Sequence, residues 1–248
     1  MSAGGTVGRG TDRSVVRRYC GRSHADGVIA TSAWTRLTEA ISGRTRRRRS
    51  AIYERETPNL SSLRVCDLGG SRHYWESMPP ALIPDDLTLL NVADDGQATS
   101  KRGDLDTVQV ILYDGRTIPF GDKYFDVLIC NSVIEHVTPD QRAALCREME
   151  RVSRFVYMQT PAMVFPVEPH FVMPAMHWLP RSIARQMVPI SPWRLLSRPS
   201  KERQRSYFDE VRLLKLTELS GLLPWAQIER ERLFGLTKSY TAFGRVPN

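Results

Sequence analysis

Between residues 62 and 160 short apolar runs alternate with polar or helical stretches, and this alternation constrains the fold more than any other feature of the chain. "LRVCDLGG" (63–70), "LTLLNV" (87–92), "VQVIL" (108–112), "YFDVLICN" (124–131) and "RFVYMQT" (154–160) each have strand length and almost no polar face. An acidic-to-basic segment over 139–151 carries Ala143, Leu145, Met149 and Val152 along it and predicts a helix between the fourth and fifth runs. Strands that are apolar on both faces and joined by crossovers form a parallel sheet covered by helices on both sides. After Thr217, read as a helix cap, "LTELSGLL" (216–223) gives a short helix. "AQIERERLFGL" and "SYTAFG" then alternate like an antiparallel pair closing the sheet.

Composition narrows the classes. At 248 residues with 41% hydrophobic and 25% charged residues, the chain affords one large domain with a sizeable core. The net charge of +8 is unevenly placed: residues 1–60 hold twelve Arg against five acids, and the remainder is nearly neutral with 23 basic and 22 acidic residues. A nearly neutral main domain argues against a nucleic-acid track through the active site. "RTRRRR" at 44–49 reads as a solvated segment, with peripheral contact to an anionic surface as its functional alternative. Residues 1–28 read as a disordered basic extension, 29–60 as a helical and basic segment with a short helix over 29–41, and 61–248 as the main domain. Four widely spaced cysteines without a C-x-x-C pair point to a reducing, cytoplasmic setting rather than to disulfides or zinc. No apolar run reaches the ~18 residues that a membrane helix needs.

In an open parallel sheet, ligands bind beyond the carboxyl ends of the strands. Asp67, Asn91, Asp114 and Asn131 stand at four such ends. With these residues "CDLGGS", "LLNV", "YDGRTIPFGDKYFDVLICNSVIEHV" and "MQTP" the chain resembles a class I S-adenosylmethionine-dependent methyltransferase of the broad type 11 group, strongly over residues 62–160. The resemblance implies a Rossmann-like, doubly wound α/β fold with a seven-stranded sheet, mostly parallel, whose last strand is antiparallel. It implies S-adenosyl-L-methionine as cofactor, with Asp67, Gly69, Gly70 and Ser71 around its methionine portion. Asn91 falls at the ribose, Asp114 and Gly115 at the adenine, and Asn131 between cofactor and substrate. Ser71 and His73 replace glycines of the fuller family motif, and Asn91 replaces its acid. Loss of that charge weakens a hydroxyl hydrogen bond by on the order of 1 kcal/mol.

The stretch 161–200 reads as an insertion: eight of the sixteen prolines fall between Pro161 and Pro199, which excludes long regular elements. Its "EPHFVMPAMHWLP" offers Glu168, His170, His177 and Trp178 as substrate-binding residues, a long insertion at a strand end being commonly a binding loop. Candidate bases are His170, His136 and Glu135. "SVIEHV" partly resembles the E-x-x-E-H magnesium motif of quinone O-methyltransferases, but Ser132 stands where that motif has its first acid, so no metal is expected. The aromatic, proline-rich loop favours an apolar or ring-bearing small molecule, or a lipid- or sugar-linked metabolite, methylated on oxygen. The alternatives are an RNA or protein methyltransferase docking through the basic front segment, and a non-catalytic binding protein on the same fold. Neither the acceptor nor the oligomeric state follows from the sequence.

Overall fold

The structure, a computed structural model, describes residues 49–93 and 108–247. The extension 1–28, the helix expected over 29–41 and all but the last residue of the basic run lie outside them. Among the described residues, those at 49–56 are helical (α1) and come first. β1 (Arg64–Leu68), α2 (Arg72–Glu76), β2 (Asp86–Asn91), β3 (Gln109–Leu112) and β4 (Phe125–Asn131) follow. After α3 (Pro139–Val152) and β5 (Ser153–Pro161) the chain leaves the sheet. It returns through α7 (Leu216–Leu222) to β8 (Gln227–Leu233) and β9 (Leu236–Arg245).

The seven strands lie in the order β3-β2-β1-β4-β5-β9-β8, with β1 to β5 mutually parallel and β9 antiparallel to both neighbours. This is the sheet that the sequence implies. Strand order reverses between β1 and β4, which opens a crevice at their carboxyl ends. Alternate residues build the two faces. Val65, Leu87, Leu89, Val127, Ile129 and Tyr157 pack with Tyr53 of α1 and Trp75 of α2. Cys66, Leu68, Leu90, Leu128, Cys130 and Met158 pack with α3 and α7 through Leu145, Cys146, Met149 and Leu219. Burial on both faces explains why the strands read as continuous apolar runs. Cys66, Cys130 and Cys146 are buried free thiols and serve as small hydrophobes.

Two local expectations change. Ala143 is exposed on α3, and its neighbour Arg142 is buried instead. α7 is capped by Lys215, so Thr217 lies inside the helix. The closing hairpin turns on Phe234 and Gly235, both at positive φ (50° and 80°), as a tight two-residue turn requires.

The excursion leaves at Ala162 and rejoins at Leu214, these two forming an isolated bridge. Its elements are short, as its seven prolines demand: the pair β6 (Val167–Glu168) and β7 (Met173–Pro174), then α4 (Arg181–Met187), α5 (Pro192–Ser197) and α6 (Lys201–Glu210). It has its own core of Phe171, Met173, Met176, Ala184, Val188 and Phe208, so it is a small folded unit rather than a loop. Among the described residues no helix is long and apolar enough to cross a membrane.

Candidate functional site

The turn after β1 is held from several sides. Gly69 N–H donates to Leu90 O at 2.8 Å, and Asn91 Nδ2 donates to Gly70 O at 3.1 Å. Asn91 thus ties the glycine turn to the tip of β2, a task beyond the ribose contact expected of it. Gly69 sits at φ 72°, and a Cβ there would come within 2.5 Å of Val133 Cγ2. A Cβ on Gly70 would lie 2.2 Å from Asp67 Oδ2. Both glycines are therefore required by the protein's own packing, whatever approaches them. Ser71 caps α2 by accepting from Tyr74 N–H.

Asp67 is buried, and its Oδ2 accepts from Trp75 Nε1 at 2.8 Å. Burial pushes its pKa up to about 7, against the opposing pull of the Trp75 hydrogen bond and the Arg49 charge. Arg49, in α1, acts electrostatically on both Asp67 and Tyr74, and among the described residues its Nε is buried without a partner. Tyr53, one turn on, accepts from Asn131 Nδ2 at 3.3 Å and meets the Tyr74 hydroxyl at 3.2 Å. Among the described residues Asn131 Oδ1 is left buried without a partner. Asp67, Asn91 and Asn131 therefore gather at neighbouring strand tips on one face. Sequence reading missed Arg49, Tyr53 and Tyr74; the signal was the spacing of Arg49 and Tyr53 by four, one helical turn. Asp114 stands at the rim, exposed, its Oδ1 accepting from Arg116 and Thr117 N–H across the turn that holds Gly115 at φ 75°.

A second polar group lies beyond β4. Ser132 takes φ 54°, a left-handed conformation that is uncommon for serine. It turns the chain into the short 3-10 segment Ile134–His136. Glu135 is 0% exposed; its Oε2 accepts from Thr160 Oγ1 at 3.0 Å, and its Oε1 has no hydrogen-bond partner among the described residues. The excursion brings His170 to it: His170 Nε2 lies 3.8 Å from Glu135 Oε1, while Nδ1 lies 2.7 Å from Glu168 Oε1. Glu168 Oε2 accepts from Phe171 N–H. The His136 ring stands perpendicular to His170 at 5.0 Å and stacks on Tyr207 at 6.0 Å. Burial raises the pKa of Glu135. Burial and the neighbouring His170 push His136 down to about 3, so it is neutral. Burial also opposes charge on His170, but Glu168 and Glu135 outweigh it and raise its pKa.

Beside this cluster lies a cavity of about 230 Å³ lined by Met163, Phe171, Met176 and Phe208 together with Glu168 and His177. His177 Nε2 pairs with Met163 O at 2.9 Å and its Nδ1 is buried without a partner. Trp178 lies apart from the cavity. It donates to the same carbonyl, is 52% exposed and stays outside this lining. The structure thus unites Glu135, His136, Glu168 and His170, sets His177 one wall away, and turns Trp178 outward.

The topology and the crevice define a class I methyltransferase fold. A family model described as "Methyltransferase domain" matches residues 85–154. Among solved structures the fold is similar to magnesium protoporphyrin IX methyltransferase from Synechocystis PCC 6803 with bound S-adenosylhomocysteine. That match has 13% identity and a TM-score of 0.55, covering 88% of this chain and 90% of that one. It is also similar to a SAM-dependent methyltransferase from Archaeoglobus fulgidus, at 13% identity and TM-score 0.51, covering 86% and 99%. No curated protein matches the sequence. Residues 85–154 of the chain therefore match a methyltransferase domain, within a fold shared with methyltransferases that use S-adenosylmethionine. Its residues fit that cofactor. A buried carboxylate and an unpartnered carbonyl oxygen, at Asp67 and Asn131, suit an ammonium, and the unpartnered guanidinium nitrogen of Arg49 suits a carboxylate.

Proposed function

We propose that the protein methylates a hydroxyl of a small, largely apolar or ring-bearing acceptor, lipid- or sugar-linked acceptors included. The observation that supports this reading is the pairing of a mainly apolar cavity with the Glu135–His136–His170 group, the two joined through Glu168, which lines the cavity and meets His170. When bound, the cofactor would supply an electrophilic methyl on a sulfonium and become a neutral thioether; the acceptor would exchange its O–H bond for an O–CH₃ bond, its proton passing to the Glu135–His136–His170 group. Alignment of the reacting atoms can contribute many powers of ten. Asp67, Asn131 and Arg49 hold the amino-acid end of the cofactor. The aromatic and methionine walls of the cavity seat the acceptor. Glu135, His136 and His170 receive its hydroxyl. Radiolabelled methyl transfer to matched panels of apolar and highly polar alcohols tests this reading, and turnover of the polar panel alone would reject it.

Two results are expected at the cofactor end. Arg49→Gln should weaken S-adenosylhomocysteine binding about tenfold to a hundredfold by calorimetry, because a charge-assisted hydrogen bond is lost. The second concerns pH. Free Asp67 keeps its proton up to about 7, whereas a ligand ammonium requires the carboxylate, so binding below that point must expel a proton. Affinity should therefore rise about tenfold per pH unit from about 5.5 to 7 and then level. Asp67→Asn should flatten the profile. A wild-type affinity that is constant over this range would show that the ammonium is held elsewhere.

A further inference from the structure

We propose that Glu135, His136 and His170 form a binding site for a divalent transition-metal ion, with Glu168 as its outer-sphere partner. One ligand-type atom from each of the three residues lies within 4.8 Å of the other two. Such ions sit about 2.0–2.2 Å from nitrogen and carboxylate ligands, so small side-chain rotations close the triad around one. The strongest sign is Glu135 Oε1: a carboxylate oxygen, fully buried, with no hydrogen-bond partner and His170 Nε2 only 3.8 Å away. A buried carboxylate oxygen that accepts no hydrogen bond is costly; Thr160 serves only the other oxygen, and His170 faces Oε1 at a distance too long for a hydrogen bond.

The surroundings resemble the outer shell of a metal site. A ligating histidine almost always gives its second ring nitrogen to a carboxylate or carbonyl, which fixes its orientation. His170 Nδ1 meets Glu168 Oε1 at 2.7 Å, and Glu168 is itself anchored by Phe171 N–H. Tyr207 stacks against the His136 ring and restricts its rotation. Two imidazoles and one carboxylate favour zinc, manganese, iron, cobalt or nickel over magnesium or calcium, which prefer all-oxygen sites. Ser132 counted against a metal only while the local motif was taken to supply every ligand; His170 arrives from the excursion. Three protein ligands leave coordination positions for a solute. That the acceptor hydroxyl takes one rests on the proposed methyl transfer; ion binding itself does not.

The test uses untagged full-length protein, dialysed against EDTA and titrated with cobalt(II) chloride. One equivalent should produce visible d–d bands and raise the melting temperature. Both effects should be lost in Glu135→Gln and His170→Gln variants whose circular dichroism matches wild type. Should either variant fail to fold, His136→Gln provides the same readout. Glu168→Gln should retain the bands with affinity about tenfold to a hundredfold weaker. Absence of stoichiometric cobalt binding by wild type, or binding unchanged in the folded variants, would overturn the site. Cobalt bound without methylation of any hydroxyl acceptor would sink the proposed reaction and leave the site standing. Methylation that survives EDTA in a protein that binds no cobalt would do the reverse.

Discussion

Gly70→Ala is expected to reduce S-adenosylhomocysteine affinity at least about a hundredfold while leaving the protein folded. The added methyl would stand 2.2 Å from Asp67 Oδ2, an oxygen fixed by Trp75 Nε1 and with only a short side chain to yield. Either Asp67 swings off its partner or the turn lifts away from Asn91, and both displacements dismantle the ammonium end of the site. The overpacking itself costs about 1–3 kcal/mol, a loss visible in denaturation. Gly221→Ala is the control. It lies within α7 with nothing inside 4 Å of the new methyl, so stability should hold or rise by up to about 1 kcal/mol, and affinity should not move.

Arg142→Ala should cause the largest loss of stability, about 3–4 kcal/mol by urea denaturation. Its guanidinium is buried on α3 and donates to Val137 O, Arg212 O and Glu218. Glu218 is 37% exposed in its side chain, so the ion pair alone is worth little. The loss comes from two carbonyls left without donors and from the emptied volume. Arg142→Lys should recover little of it, since one ammonium cannot reach three diverging acceptors. Arg212 N–H donates to Glu135 O at 2.8 Å, so the strand leaving the excursion and the turn carrying Glu135 should loosen together. Methyl transfer should therefore fall more steeply than cofactor affinity.

Arg142 also shows where sequence reading runs out. An arginine between apolar helix positions reads as solvated, because its three acceptors lie on segments far apart in the chain. The sheet was readable because burial on both faces writes itself as uninterrupted apolar runs, and the strand tips followed from parallel topology. Asp67, Asn91 and Asn131 were found in that way. Arg49 was hidden inside a run of like charges whose average suggested solvent. The excursion was marked by its prolines, but its core of Phe171, Met176 and Phe208 has no period to detect. His170 and Glu135 are joined only by that fold. Their convergence was unreadable.

Hydrogen–deuterium exchange with and without S-adenosylhomocysteine tests most directly whether the tips of β1, β2 and β4 hold the cofactor. The account predicts slowed exchange in 67–75, at the end of β2 and around 131–136, with α1 protected through Arg49 and Tyr53. Binding that leaves all of these amides unchanged, or protects only the excursion, would contradict it.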